Sequence, residues 1–382
     1  MSSPAPKLLH IFSTFAPGGP QVRTVGLMAA FGDEFRHVVV PMDGATDARN
    51  LLPDGFPIDI EPQPAASGTL AMVQFLRALY KRVQPDLICT YNWGAIEAVM
   101  AARSMRLPVL HHEDGFLPDE AGGFKPRRVW TRRLLLRGAR GLVVPSHTLE
   151  NIATDIWRLP KKLVHWIPNG IHVPKVPEQA ERIAARESFG LPTDDPTAVV
   201  IGGVGHLRRE KNYARLIESF GKLKVTDSCT PYLLLLGDGT EREQLEKLAN
   251  QDSIRERVVL AGHHTDLAPA YAAMDMFAIS SDTEQMPIAL LEAMAAQLPV
   301  VSTDVGDVMS MMPDAQSPFV VPLKNVHGDD ATIRTLAKAM EQLLADKDLR
   351  SQLGVGNRQR VEELFSYAPM LDSYRERYNA AL

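Results

Sequence analysis

Two glutamates, Glu284 and Glu292, stand eight residues apart in Ser280–Ala295, with Pro287 between them. Pro287 suits the first turn of a helix, where its missing N–H removes no bond. The pattern therefore puts Glu284 in a loop and Glu292 inside the helix that follows, which starts over Met286, Pro287 and Ile288. The open N–H groups of such a start favour an anion such as a diphosphate. A carboxylate also accepts from two adjacent hydroxyls, as on a ribose or a hexose. A capped surface helix with ordinary glutamates would look the same from this stretch alone.

Other loops carry matching chemistry. Gly202-Gly203-Val204-Gly205-His206-Leu207-Arg208-Arg209-Glu210-Lys211-Asn212 follows an apolar run and leads into an amphipathic one. Gly205 lets backbone approach a ligand, while Arg208, Arg209 and Lys211 supply charge for phosphates. Gly239, in Gly237-Asp238-Gly239, and Gly262, in Gly262-His263-His264-Thr265-Asp266, follow two further runs. The first is also what a plain tight turn looks like, and the second lacks the partners of a zinc site. In the N-terminal half, Gly18 and Gly19 could turn backbone amides toward a phosphate or a transferred group, or form a simple loop. His111-His112-Glu113-Asp114 ends another run. A histidine there can bond a sugar or an acceptor hydroxyl, and a satisfied core or surface histidine is the alternative. With no strong Asp-x-Asp placed beside the phosphate loops and only Cys89 and Cys229, far apart, no metal site is expected.

The elements that must hold these residues alternate. Lys7–Phe12, His37–Val40, Asp86–Thr90, Val109–His111, Gly141–Val144 and Leu163–Ile167 read as strands, with helices such as Thr24–Phe31, Leu70–Arg82 and Ala95–Ser104 between them. The pattern pauses over the proline-containing, charged stretch Pro174–Pro192. It restarts with strands at Ala198–Ile201, Tyr232–Leu236, Val258–Ala261, Met276–Ile279, Pro299–Thr303 and Phe319–Val321. Such alternation means βαβ units and mostly parallel sheets. It implies an α/β chain of two doubly wound domains, 1–172 and 173–367, with a helix at about 368–382. Their strands' carboxyl ends are where α/β proteins bind ligands.

A length of 382 residues predicts two or three domains, and 45% hydrophobic with 23% charged residues is ordinary for a soluble globular chain. Two distant cysteines suit a reducing, cytoplasmic setting. Met1–Phe12 is too short and lacks the basic lead of a secretion signal. Residues 1–172 hold 19 Lys and Arg against 15 Asp and Glu, a net +4, which leaves the remainder at −9. Nucleic-acid binding is not indicated, because the positive half has neither a polybasic tail nor an aromatic ladder. Lys125–Arg140 does carry seven cations and no acid around Trp130 and three leucines. As a helix this segment can lie on an anionic membrane, or pack its leucines inward as a solvated helix.

The chain resembles the retaining glycosyltransferases of the two-Rossmann GT-B architecture, the large family 4 with an E-x7-E motif. The likeness runs through Val204–Asn212, Leu236–Gly239, Val258–Gly262, Tyr271–Met276, Glu284–Glu292 and Leu298–Gly306. In the N-terminal half it is thinner, at Pro17-Gly18-Gly19, Pro145-Ser146 and Ile167–Ile171. The resemblance implies two facing Rossmann-like domains with a cleft between them. It implies transfer of a hexosyl unit from a nucleotide-diphosphate sugar, a UDP-sugar ahead of GDP-mannose, to a saccharide or lipid-linked acceptor hydroxyl. No cofactor and no metal are expected. By the same resemblance Glu284 sits near the donor hexose, Glu292 holds the ribose, Lys211 binds the diphosphate, and His112 meets the transferred sugar or acceptor. A peripheral position on the inner face of the cytoplasmic membrane would follow for a lipid-linked acceptor. His206 stands where the family usually has arginine, and Gln285 where it usually has glycine. A nucleotide-sugar-binding subunit without catalysis, or an epimerase or phosphorylase of the same architecture, are the competing readings.

Overall fold

A computed structural model describes residues 4–115, 123–323 and 330–382 of the chain. It divides into two compact units, one of Met1–Asn169 with Ala368–Leu382, the other of Gly170–Tyr367.

In the first unit, seven strands run in parallel among the described residues: β1 (Lys7–Phe12), β2 (Arg36–Pro41), β3 (Ile58–Ile60), β4 (Leu87–Tyr91), β5 (Val109–His112), β6 (Gly141–Val144) and β7 (Val164–Trp166). Their order is β3-β2-β1-β4-β5-β6-β7. Central strands such as β4 and β6 are buried at every position, as expected where helices cover both faces. The helices are α1 (Gly19–Phe31), α2 (Thr69–Val83), α3 (Ile96–Ser104), α4 (Pro126–Leu136) and α5 (His147–Asn151).

The second unit repeats the plan with β8 (Ala198–Val204), β9 (Thr230–Leu236), β10 (Val258–Gly262), β11 (Met276–Ile279), β12 (Val300–Thr303) and β13 (Val320–Val321). All pairs are parallel, in the order β10-β9-β8-β11-β12-β13. Its helices are α6 (Gln179–Ser188), α7 (Tyr213–Phe220), α8 (Arg242–Ala249), α9 (Ala268–Ala273), α10 (Ile288–Ala295), α11 (Val308–Met311), α12 (Asp330–Ala345) and α13 (Lys347–Leu364). The architecture is thus the two-domain Rossmann-like GT-B fold that the alternation and the resemblance implied. The last helix, α14 (Tyr367–Ala381), packs in the first unit and buries Met370, Tyr374, Tyr378 and Ala381 along one stripe.

The pause at Pro174–Pro192 contains no strand but does contain α6. It starts on a capping box in which the Glu178 side chain accepts from the third-residue amide and Glu181 accepts from the Glu178 amide at 2.6 Å.

The basic segment becomes α4 only from Pro126 to Leu136, and its cations do not share one face. Arg132 is fully buried. Its guanidinium donates to Glu113 through Nε and Nη2, each at 3.1 Å, and lies 5.0 Å from the Trp93 ring and 4.8 Å from the Trp157 ring. Arg133 donates to the Trp157 and Ile156 carbonyls. Arg132 and Leu136 point to the core, while Arg127, Trp130, Leu134 and Arg137 form the exposed stripe. Among the described residues no helix is long and apolar enough to cross a membrane.

Candidate functional site

Parallel topology brings the carboxyl ends of β10, β9, β8 and β11 to one edge of the second unit. The loops predicted to carry chemistry leave from these strands. After β8 the chain makes a short turn through Arg209–Lys211 and enters α7. Asn212 has φ +46° and caps α7 by accepting from the Arg215 amide at 3.2 Å. After β11 a loop carries Ser281, Asp282 and Glu284 to α10, where Pro287 occupies the N-cap just ahead of the first turn. β8 and β11 pair directly, so Lys211 and Glu284, 73 residues apart, come together. Lys211 Nζ donates to Glu284 Oε1 at 2.6 Å, and Ser281 Oγ donates to the same oxygen at 2.7 Å. The two side chains are 29% and 11% exposed, so the pair is accessible yet largely desolvated.

Glycine shapes this edge. Gly306 has φ +56°, and a Cβ there would collide with the Glu284 carbonyl oxygen. Asp307 then donates its amide to Gln285 O at 2.9 Å, which fixes the loop from behind. Gly237 has φ +138°, and its Cβ would strike the Gly205 carbonyl, while one on Gly239 would strike that of Leu207. These glycines let the β9 loop lie against the β8 loop, so at Gly239 close backbone packing accounts for the residue type.

Glu292 does not sit on a surface helix. α10 buries Leu290, Leu291, Ala293, Met294 and Ala295, and Glu292 is its only charged residue. Burial raises the Glu292 carboxyl above its ordinary pKa, partly offset by the Tyr271 hydroxyl, which donates to Oε2 at 2.7 Å. A cavity of about 750 Å³ within this unit borders Glu292, Tyr271, Thr265, Asp266 and Ala268. Lys211, Glu284 and Pro287 line a separate, smaller hollow. The two glutamates thus serve neighbouring but distinct spaces. His206 is exposed, and partial burial with the nearby Arg208 and Lys211 charges holds its imidazole below the ordinary value. Arg208 and Arg209 are exposed on the same turn.

In the first unit, Gly18 is the N-cap of α1, with Gly19 and Pro20 opening the helix. His112 is 1% exposed. Its Nδ1 lies 3.2 Å from Thr90 O, and its ring stacks on Tyr91 at 4.6 Å. Burial, then the Arg23 charge, keeps it neutral well below its usual pKa. His111 is buried too, between Thr90 Oγ1 at 2.8 Å and Glu113. Arg23 forms an ion pair with Asp114 and donates to Asn169 Oδ1 at 3.0 Å. Among the described residues the side-chain Nε2 of His112 and Nε of Arg23 have no hydrogen-bond partner.

Ser281, Tyr271, Asp282 and Arg215 were given no role by sequence. Tyr271 was detectable as the one polar side chain in the alanine-rich Ala268–Ala273. Among the described residues no group of three or more His, Cys, Asp or Glu could hold a metal ion.

Residues 181–360 match the family model described as Glycosyl transferases group 1, and residues 18–170 match the Glycosyl transferase 4-like domain. The lipopolysaccharide core biosynthesis glycosyltransferase LpsE of Rhizobium meliloti is 33% identical over 189 residues, covering 50% of this chain and 51% of that protein. A D-inositol 3-phosphate glycosyltransferase of Xylanimonas cellulosilytica is 27% identical over 314 residues, covering 76% of this chain and 72% of that protein. The chain spans about half the length of the Rhizobium relatives it matches. The crystal structure of Anabaena HepE in complex with UDP and glucose superposes with a TM-score of 0.81 at 19% identity, covering 98% of this chain and 99% of the other. At that identity the likeness speaks for the fold.

Proposed function

Because the chain belongs to the family 4-type GT-B glycosyltransferases, we propose that it moves a hexosyl unit from a nucleotide-diphosphate sugar, a UDP-sugar ahead of GDP-mannose, to an acceptor hydroxyl with retention at the anomeric carbon. The observation that carries this reading is the Lys211–Glu284 pair, with Glu292 on the next, buried helix at the same sheet edge. An ammonium, two exposed arginines and the α10 start supply the positive field that a diphosphate leaving group needs, without a divalent ion. Glu284 positions the hexose and acts electrostatically, and Glu292 takes the ribose hydroxyls. The departing phosphate receives the acceptor proton, so no separate base is required. The Rhizobium relative acts in lipopolysaccharide core biosynthesis, which favours a saccharide or lipid-linked acceptor. Incubation with a panel of nucleotide sugars and saccharide acceptors, with and without EDTA, tests this. Nucleoside diphosphate release that persists in EDTA is expected. Tight binding of nucleotide sugars without turnover would favour a binding subunit instead.

The acceptor reading extends to a membrane surface. On α4, Trp130 is 59% exposed and Leu134 69%, beside exposed Arg127 and Arg137. Interfacial aromatic and aliphatic groups flanked by cations suit an anionic bilayer, each cation contributing about 1 kcal/mol at the surface. Wild type is expected to sediment with anionic but not neutral vesicles at low salt. The variant Arg127→Glu/Trp130→Ala/Leu134→Ala/Arg137→Glu should stay in solution, since these residues all lie outside the core. Equal sedimentation of both proteins would exclude α4 as the anchor.

A further inference from the structure

Arg215 is an unusual residue for its place. α7 packs Tyr213, Leu216, Ile217 and Phe220 inward, and Arg215 joins that face at 1% exposure. It donates to the Ser280 carbonyl through Nη1 at 2.7 Å and to Asp282 Oδ1 through Nη2 at 2.7 Å. Asn212 Nδ2 approaches both oxygens of Asp282 at 3.3 Å. Further bonds cross between the same two segments. The Asp282 amide donates to Glu210 O at 2.8 Å, and Ser280 Oγ donates to Lys211 O at 3.1 Å. One segment is the turn bearing Lys211, and the other is the loop bearing Glu284.

A buried ion pair is weak evidence for stability, since a well-packed apolar pair of similar volume often serves as well. What it adds is a single register, because the rigid guanidinium must meet the Ser280 carbonyl and an Asp282 oxygen at the same time. Lys211 lies one residue before Asn212, and Glu284 two residues after Asp282, so any slip between the segments would part the 2.6 Å contact.

We propose that Arg215 and Asp282 are positioning residues that hold the lysine turn and the glutamate loop in register for the donor. They act from the core and touch no ligand. The inference rests on the proposed transfer reaction for its functional meaning, while the register itself is readable without any substrate.

The test is Arg215→Lys, which keeps the charge but loses the rigid pair of Nη donors aimed at the two acceptors, with Asp282→Asn as the reciprocal variant. Backbone amide exchange over 209–212 and 281–285 is expected to accelerate in both segments together, with α12 and β9 unchanged. Turnover should fall about tenfold or more, because Lys211 and Glu284 no longer meet the donor in one arrangement. The partial activity of Arg215→Lys should exceed that of Arg215→Met. Unchanged exchange in both segments, with only a lowered melting temperature, would overturn the proposal. Coupled loosening in a protein whose wild type turns over no nucleotide sugar would sink the transfer reading and leave the positioning role standing.

Discussion

Glu284→Gln will bind a nucleoside diphosphate more tightly than wild type while losing most of its turnover. In the structure Lys211 is committed to Glu284 at 2.6 Å. A diphosphate that recruits the ammonium must compete with that carboxylate. Glutamine keeps the volume and can still accept from Ser281, but it withdraws the charge. A charge-assisted bond contributes about 1.5–3 kcal/mol, partly recovered by the phosphate, so about tenfold tighter binding is expected. In the proposed reaction the carboxylate also meets charge at the transferred sugar. Removing one such preorganised contact costs about 10²–10³ in rate. Calorimetry with UDP and steady-state turnover read the two effects separately. A variant with wild-type rate and wild-type nucleotide affinity would remove Glu284 from the mechanism.

The first unit will lose stability steeply below neutral pH. His10, His37 and His112 are all buried. His10 Nδ1 lies 2.9 Å from the Tyr91 hydroxyl, and its Nε2 lies 3.1 Å from His37 Nδ1. Burial depresses all three imidazoles, His37 to about 4 and the other two well below their usual value. Above about pH 7.5 neither folded nor unfolded chain binds an appreciable share of these protons, and the sites contribute almost no pH dependence. As pH falls from 6.5 toward 4, the unfolded chain takes up protons that the folded unit cannot hold. Stability then drops by up to about 1.4 kcal/mol per pH unit per histidine. Three sites acting over one and a half units remove up to about 6 kcal/mol, a large part of the typical 5–15 kcal/mol of a domain. All four tryptophans, Trp93, Trp130, Trp157 and Trp166, belong to this unit. Fluorescence-detected urea unfolding at pH 7.5 and 5 therefore reports it alone. A midpoint that does not move would show that the histidines accept protons in the folded state.

Elements buried on both faces were the most legible in sequence. Gly141–Val144 and Met276–Ile279 are continuous apolar runs, and Lys7–Phe12 is one broken only by His10 after its leading lysine; all three form strands with those bounds. Ile58–Ile60 was not visible, being three residues long between Pro57 and Pro62, and it lies at the sheet edge, where proline is tolerated. α13 escaped because 18 residues bury only Leu353, Gly354, Asn357 and Val361, too thin a stripe against its charges. In the site, spacing alone singled out Glu284 and Glu292, and loop composition singled out Lys211. Their partners were not legible, because Arg215 meets Asp282, and Lys211 meets Glu284, only through the β8–β11 pairing. Arg132 did leave a trace: with Leu136 it makes an i, i+4 pair opposite Trp130 and Leu134.

α14 is separated from the rest of its unit by the whole of Gly170–Tyr367. Its Tyr378 packs edge-on against Phe31 and Phe35, Tyr374 lies 6.0 Å from His112, and Arg375 pairs with Glu34 at 2.9 Å. On the ribosome, then, the half of the molecule made first cannot be finished first. The Gly170–Tyr367 unit is contiguous and has all its strands once residue 367 emerges. The earlier sheet must wait, with its aromatic face unsealed, until nearly 200 further residues have been synthesised and the closing helix returns across that loop. Synthesis order and completion order are inverted, and the period of exposure falls on the histidine- and tyrosine-lined face.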